Sequence, residues 1–343
     1  MSLMFDVFEL QKELVSLACP SGSEHLKIAP RLAELAAPFV DEVTTDVLGN
    51  VICHKKGGCG KKIMYAAHMD AIGFMATFID DKGFVWFETV GGFYPIELVN
   101  ARVRFMNGAH GIIKLRELPK QMAKTLSAVP KTQLFIDIGA KNKTEAEEIV
   151  AIGDVAVYAG ESRKIAGNNI MTPYADDLIA CVVLLLAMEQ VGDCENDLYF
   201  VFTAQEEVGC RGARTAAFAL EPDIGIACDV TDTGDTPMSE KVKMAVDLGK
   251  GPTIKIKDGS VICSPQLNEK LREIAKTSDI PWQNEILIAG GTDTGVIQAA
   301  RGGVAATCVS IPTRNIHSSC EIINIGDVQL AAKLLAAAAH GEY

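Results

Sequence analysis

Residues 197–209 read "DLYFVFTAQEEVG", an apolar run that ends in two adjacent carboxylates. The apolar residues at 199–202 predict a buried strand. Adjacent residues of an extended segment point to opposite sides, so Glu206 and Glu207 are expected to face different surroundings. Such a pair alone is typical of a solvated loop, because like charges repel unless a cation or a proton lies beside them. The rest of the sequence has to show whether this strand end is functional.

The segments around this strand alternate between strands and helices. Helices are predicted at 5–19, 24–38, 176–192, 211–220, 265–277, 293–300 and from 326. Strands are predicted in the stretches "NVICHKK", "KIMYAAHMD", "DIGIACDV", "TIKIKD", "EILIA" and "GVAATCVSI". The sequence therefore predicts an α/β fold with a mixed, mostly parallel sheet that is covered by helices.

The texture changes between about residues 71 and 165. Short β-type pieces such as "GFMATFID" and "QLFIDIG" dominate there, with Gly, Pro and Asn between them. The only helical stretch in this part is a short polar one at 144–149. We predict a small all-β domain, of barrel type, at 71–165, inserted into a main domain that comprises 1–70 and 166–343.

Composition excludes several classes of function. The 343 residues carry a formal net charge of −12, which argues against nucleic acid or an anionic membrane as a partner. No apolar run is long enough to span a membrane, and the acidic N-terminal stretch is not typical of a secretory signal. The ten cysteines form no CxxC pair, and several lie in apolar runs, which favours a reducing cytoplasm over a disulfide framework.

Polar side chains follow several of the predicted strands, and an acidic pair opens the buried helix. These residues are His68 and Asp70, Glu206 and Glu207, Asp229, His317, and the pair Asp176 and Asp177. Ligands of open α/β sheets bind at the carboxyl ends of the strands. A lone histidine there is usually structural, and an acidic pair at a helix start is usually a cap. Two histidines with three carboxylates, however, are a suitable ligand set for two Zn²⁺-like ions, which indicates a two-metal hydrolase.

Seven stretches in this order resemble the M42 family of metallo-aminopeptidases, the glutamyl and deblocking aminopeptidases that form tetrahedral shells. They are "AAHMDAIGF", "PYADDLIA", "TAQEEVGCRGA", "CDVTDTGDTP", "LGKGPTIKIKDGSVI", "GGTDTG" and "IPTRNIHSSCEII". The resemblance covers nearly the whole chain. It implies a zinc-exopeptidase-like main domain that is catalytic and an inserted domain that serves oligomerisation.

The resemblance also implies a role for each site residue. His68 and Asp229 would hold one metal ion, Glu207 and His317 the other, and Asp176 would bridge both. We expect two divalent ions per subunit, Zn²⁺ first, with Co²⁺ or Mn²⁺ as alternatives.

Two further carboxylates are implied to support the reaction. Asp70 would hydrogen-bond the imidazole of His68 and fix its tautomer. Glu206 would be the general base that activates a water between the metals and then protonates the leaving amine. The peptide bond between Asp176 and Asp177 is expected to be cis, as in relatives of this fold.

The implied activity is removal of the N-terminal residue from short peptides, in dimers that build a twelve-subunit hollow tetrahedron. Two positions depart from the family pattern: Ala71 stands where an acid is common, and Leu178 where an arginine is common. Neither is an expected ligand. The preferred first residue stays open, because Arg301 and Arg314 could each pair with an acidic substrate side chain or form a structural salt bridge.

Other functions remain as alternatives at this stage. A two-metal carboxypeptidase or deacylase would use nearly the same ligands. A non-catalytic, metal-stabilised scaffold is disfavoured because the base and all five ligand positions are present. An endoglucanase would need a carboxylate pair that flanks a sugar, whereas the acids here come with two histidines at metal-ligand positions. A serine hydrolase would need a GxSxG elbow that the sequence lacks.

Overall fold

The computed structural model describes residues 4–115, 131–237 and 244–343. Its α-helices are α1 (Val7–Ser16), α2 (Ile28–Ala36), α3 (Pro95–Leu98), α4 (Lys143–Glu147), α5 (Ala175–Val191), α6 (Arg211–Leu220), α7 (Pro265–Thr277), α8 (Asp293–Gln298) and α9 (Ile325–Ala338). Short 3₁₀ turns flank α2 and precede the strand that begins at Leu134.

The described residues contain seventeen β-strands. The first nine along the chain are β1 (Glu42–Thr45), β2 (Val51–Lys55), β3 (Lys62–His68), β4 (Gly73–Ile79), β5 (Val85–Val90), β6 (Arg102–Phe105), β7 (His110–Leu115), β8 (Leu134–Asp137) and β9 (Val155–Tyr158). The remaining eight are β10 (Arg163–Ile165), β11 (Asn169–Thr172), β12 (Asp197–Thr203), β13 (Ile224–Asp232), β14 (Thr253–Lys257), β15 (Gln283–Ile286), β16 (Ala305–Arg314) and β17 (Glu321–Asn324).

Eleven strands form one large mixed sheet in the order β1-β2-β12-β3-β13-β16-β17-β11-β10, with β14 and β15 added beside β16. Its centre is parallel: β3 lies between β12 and β13, and β13 pairs with β16. His68 stands opposite Thr203 in this register, and Asp229 opposite Ser310. The carboxyl ends of the four central strands therefore meet at one edge.

The outer strands differ from the expected mostly parallel sheet. Of the ten strand pairings described in this sheet, six are antiparallel. Five of the six involve β1, β10, β11 or β17 at the sides of the sheet or β2 next to them. The prediction is right for the parallel centre and wrong for the sides, because β1, β10, β11 and β17 were not anticipated.

Helix α5 lies in the hydrophobic core, against the centre of the large sheet. Almost every side chain of the helix is buried, and the helix packs against β3, β13 and α9. A helix that is apolar all round needs neighbours on every side. Its start is therefore fixed deep in the molecule, close to the strand ends of the sheet.

Strands β4 to β9 form a closed six-stranded barrel in the order β4-β5-β8-β7-β6-β9. Its described pairings are antiparallel, and side chains such as Phe74, Phe105 and Ile136 fill its interior. The expected all-β character of this stretch is thus present, while residues 116–130 of the predicted insertion lie outside the described residues. The division into two domains stays a prediction.

No helix in the described ranges combines the length and the apolar composition that crossing a bilayer requires. All ten cysteines are free thiols, and six of them are buried as core residues.

Candidate active site

A cleft of about 720 Å³ lies at the carboxyl edge of the parallel strands. The side chains of six residues expected at the site line it: His68, Asp176, Glu206, Glu207, Asp229 and His317. Strand β3 ends at His68, the turn after β12 carries the glutamates, β13 carries Asp229, and His317 follows β16. Parallel strands thus bring together residues that are far apart in sequence.

Asp176 is at the centre of this group. Its Oδ1 lies 3.0 Å from Nε2 of His68, and its Oδ2 lies 3.1 Å from Nε2 of His317. The Nε2 of His317 is also 3.5 Å from Oε1 of Glu207. One carboxylate therefore faces two histidines, one from the end of β3 and one from the segment after β16.

Two overlapping sets of side chains have ligand atoms within 4.8 Å of one another. The first is His68, Asp176 and Glu207, and the second is His68, Asp177 and Asp229. Asp177 was not expected in such a set. Its Oδ2 accepts a hydrogen bond from the backbone N–H of His68 at 3.2 Å, while no described residue hydrogen-bonds to its Oδ1.

The buried carboxylates of the cleft favour the binding of a cation. Burial, together with the Asp176 carboxylate, raises the pKa of Glu207 well above its ordinary value, and Oε1 of Glu207 has no hydrogen-bond partner within the part of the chain that the structure describes. Burial likewise raises the pKa of Asp229 and Asp177. Uncompensated buried carboxylates are costly, and divalent cations remove that cost. Imidazole and carboxylate donors in this number suit such ions, so the residues fit the metal centre that the sequence predicts.

The start of α5 is irregular at the position of the acidic pair. The peptide bond between Asp176 and Asp177 is cis, as expected, and both residues have non-helical backbone angles. Tyr174, just before them, is in the left-handed region with φ 57°.

Asp70 lies beside His68, but its contacts differ from the expected ones. The Nδ1 of His68 is 3.0 Å from the backbone carbonyl of Asp70 and 3.6 Å from the nearer carboxylate oxygen. The carboxylate instead accepts the backbone N–H groups of Glu206 at 3.0 Å and Glu207 at 3.2 Å, and the hydroxyl of Ser21 at 2.6 Å. The turn after β3 places the carbonyl closer to the ring, so the carboxylate is free to hold the glutamate turn in place.

Glu206 and Glu207 face different partners, as their adjacency predicts. Glu207 points to His317, whereas Oε2 of Glu206 lies 4.0 Å from Nε2 of His68. Burial raises the pKa of Glu206 above its ordinary value. The two neighbouring glutamates thus lie in different surroundings within one cleft.

Sequence reasoning missed Glu321, which is buried at the start of β17. Its carboxylate accepts the backbone N–H of Asp176 at 3.0 Å and that of His317 at 2.8 Å. It thereby joins the two segments on which a shared metal centre depends. An acid directly before the apolar pair at 322–323 was the available signal.

The two arginines considered for substrate binding are engaged elsewhere. Arg314 pairs with Asp235 through Nε at 3.0 Å and Nη2 at 2.5 Å, and Arg301 pairs with Glu221 at 2.9 Å. Both are structural salt bridges. Ala71 and Leu178, the two departures from the family pattern, are buried.

A protein-family model described as M42 glutamyl aminopeptidase matches residues 49–334. The chain belongs to the M42 peptidase family. Its relatives include a putative aminopeptidase of Acetivibrio thermocellus, 45% identical, with 96% of this chain and 97% of that protein covered. The lysyl aminopeptidase of Pyrococcus furiosus is 37% identical, with 95% of each chain covered.

The fold agrees with solved structures of the same family. The TET1 peptidase of Pyrococcus horikoshii, described as assembling into a tetrahedron or a large octahedral shell, superposes with a TM-score of 0.88. It is 30% identical, with 98% of this chain and 99% of that chain covered. This M42 chain is thus a peptide hydrolase of the aminopeptidase class, and its family implies divalent metal ions.

Proposed function

We propose that this M42 protein is a two-metal aminopeptidase that releases the N-terminal residue of short peptides. The observation that carries the proposal is the position of Asp176, whose two carboxylate oxygens each lie about 3 Å from a different histidine. A carboxylate between two imidazoles is the arrangement that a bridged pair of cations needs.

The ligand assignment is carried over from the family resemblance, and the closeness of these residues in the cleft supports it. His68 and Asp229 would hold one ion, Glu207 and His317 the other, and Asp176 both. Zn²⁺ suits these donors best, and Co²⁺ or Mn²⁺ would also be accepted. When bound, the two ions would act as Lewis acids on the scissile carbonyl and make water more acidic.

Glu206 is the proton carrier in this proposal. It would accept a proton from the attacking water and give it to the departing amine. Its Oε2 lies 4.0 Å from Nε2 of His68, beside the expected ligands. Asp70 supports this role because its carboxylate holds the backbone of Glu206 and Glu207. Glu321 fixes the backbone of Asp176 and His317 in the same way.

The charge of the cleft supports an aminopeptidase over a carboxypeptidase. A peptide's free C-terminal carboxylate needs a cationic partner. Among the described residues that line the cleft, the only lysine or arginine is Lys255, which is fully buried and paired with Glu285. The acidic residues Glu97 and Asp232 also line the cleft, and they favour a cationic α-amine.

The experiment is the variant Glu206→Gln, assayed with free and N-acetylated forms of one peptide panel. We expect release of the first residue from free peptides only, and a loss of about 10²–10⁴-fold in kcat for the variant. Metal content should stay at two ions per subunit. Glu42→Gln, at an exposed position of β1, is the matched control. Full activity of Glu206→Gln would refute its role, and equal cleavage of acetylated peptides would refute the aminopeptidase assignment.

Asp176→Asn tests the shared ligand separately. We expect both ions to bind more weakly, because the neutral amide of asparagine offers one acceptor oxygen in place of the two anionic oxygens of the carboxylate. Loss of a single ion, with the other retained at full affinity, would contradict the bridge.

We further propose that residues 71–165 form an inserted domain used in self-association, first into dimers and then into a twelve-subunit tetrahedral shell. The closed barrel of β4 to β9 and the shells formed by the TET1 relative support this. The ten free cysteines support a reducing compartment such as the cytoplasm.

A further inference from the structure

A second cluster of ligand-type side chains lies directly beside the proposed metal centre. It consists of Glu206, Cys210 and Asp293, and one ligand atom of each lies within 4.8 Å of the others. The Sγ of Cys210 donates a hydrogen bond to Oε1 of Glu206 at 3.1 Å. The proposed reaction uses Glu206 but neither Cys210 nor Asp293.

The backbone holds this cluster in place. The N–H groups of Gly209 and Cys210 both donate to the carbonyl of Glu206 at 2.8 Å, which closes the turn between β12 and α6. Cys210 adopts a left-handed conformation with φ 51°, uncommon outside glycine. The turn thus sets both side chains on the same side, where they line the cleft.

Asp293 completes the cluster from a different part of the chain. It lies at the start of α8, and its side chain is held by the hydroxyl of Thr203, which donates to Oδ2 at 2.5 Å. Only 2% of Asp293 is exposed, and its Oδ1 has no hydrogen-bond partner among the described residues. A buried carboxylate oxygen with no partner is costly, so this oxygen indicates a ligand that is still to be supplied.

We propose that Glu206, Cys210 and Asp293 form a third, inhibitory cation site for a thiophilic divalent ion such as Zn²⁺. Ligand atoms at about 2.0–2.3 Å from a tetrahedral zinc ion lie about 3.5 Å from each other. The observed spacing reaches that value with small side-chain movements. A thiolate with two carboxylates suits Zn²⁺ or Cd²⁺ better than Mg²⁺ or Ca²⁺.

Binding exchanges one proton for one cation. The S–H bond of Cys210 breaks, its proton leaves to solvent, and Sγ binds the ion with both electrons of that bond. Glu206 then serves as a ligand and can no longer accept a proton from water. Excess Zn²⁺ would therefore stop turnover without displacing the two resident ions. This regulation rests on the proposed function of Glu206.

Cadmium is the probe for the site itself. We expect CdCl₂, added to the full-length protein loaded with its resident ions, to produce the ultraviolet charge-transfer band of a cadmium thiolate. The proposed resident ligands include no thiol, but the other free cysteines can also bind cadmium, so the part of the band that depends on Cys210 reports this cluster. Cys210→Ala should abolish it, whereas Cys59→Ser, which removes an exposed thiol in the turn between β2 and β3, should leave it unchanged. A band of equal size in Cys210→Ala would overturn the proposal.

Peptide turnover in excess Zn²⁺ is the second measurement, with each protein normalised to its own rate without added zinc. Cys210→Ala should need about tenfold or more zinc for half-inhibition. Asp293→Asn keeps the shape of the side chain and should also need more zinc for half-inhibition. It replaces Cys210→Ala in this test if the alanine variant does not fold. Equal inhibition of all three proteins would overturn the site and leave the proposed function intact. A Cys210-dependent cadmium band in a protein that cleaves no peptide would overturn the function and leave the site intact.

Discussion

The pKa of Asp176 is set by the two histidines beside it. Its pKa is lowered despite complete burial, because His317 and His68 both donate to its carboxylate. The pKa values of Glu207 and Asp229 are raised in the same cleft. The two histidines thus compensate the negative charge of Asp176. Burial and the charge of Asp176 disfavour the ionised forms of Glu207 and Asp229, and bound cations would relieve that cost.

The metal-stripped protein should therefore lose stability as the pH rises. Glu207, Asp229 and Asp177 have raised pKa values when folded, so the folded state binds more protons than the unfolded state above the ordinary pKa. That stabilisation is present at low pH and is lost as the pH rises through the folded pKa. The raised pKa of His317, about 10, acts in the same direction.

Thermal unfolding of the chelator-treated protein at about pH 5 and about pH 8 measures this effect. We expect a lower Tm at the higher pH, and a smaller difference once Zn²⁺ is restored. The same pH dependence with and without metal would show that other groups control stability.

At the residue scale, the sequence predicted side chains that follow strongly apolar strands. His68, Glu207 and Asp229 could be found because each ends or follows such a run. Glu321 and Asp293 were missed, since each is the first residue of its element and resembles an ordinary polar boundary residue. The role expected for the carboxylate of Asp70 stays a prediction, because the backbone carbonyl of Asp70 lies nearer to Nδ1 of His68, at 3.0 Å, than the carboxylate does, at 3.6 Å.

The turn between β12 and α6 is the element on which the site depends most closely. Gly212, at the start of α6, donates its N–H to the carbonyl of Ala204 at 2.9 Å. Asn50 joins both residues, accepting the N–H of Ala204 at 2.9 Å and donating to the carbonyl of Gly212 at 3.0 Å. The backbone on either side of the two glutamates is thus held by one buried asparagine.

Gly212→Ala should disturb this turn. An added Cβ would lie 2.1 Å from Oδ1 of Asn50 and 2.4 Å from the carbonyl oxygen of Ala204, so the helix start has to move. Alanine normally favours a helix, but here we expect a loss of about 1–3 kcal/mol in the free energy of unfolding and a lower kcat. Denaturant unfolding measures the change in the free energy of unfolding, and peptide turnover measures the change in kcat.

Gly302→Ala is the matched control, since its Cβ would meet no atom within 4 Å. It should leave both measurements unchanged. A neutral Gly212→Ala would show that the turn tolerates the shift.

Helices with a strong hydrophobic periodicity were predicted closely, and short strands with little hydrophobic alternation were missed. Helices α6 and α7 have the predicted bounds, 211–220 and 265–277. Strands β1, β10, β11 and β17 contain only three or four residues each, and β1 and β10 are mostly exposed. Such strands owe their existence to the edges on which they pair, and their own sequences carry little hydrophobic alternation.

The assembly is the prediction that belongs to the whole molecule. A twelve-subunit shell would have a mass of about 440 kDa, twelve times the 36.7 kDa of the chain. Light scattering of the purified protein should give this value or that of a dimer in exchange with it. A monomer at all concentrations would contradict the proposed role of residues 71–165.

The position of β3 between β12 and β13 also has a consequence for protein synthesis. On the ribosome, the strand that carries His68 emerges with both edges unpaired, and its partners follow only after residues 73–158 have been made. At about 5–20 residues per second, that interval is on the order of ten seconds. The strands of the barrel can pair with one another during this time, because all their partners are already present. We therefore expect the middle of the chain to fold first, and the metal to be captured only after the ribosome has passed His317.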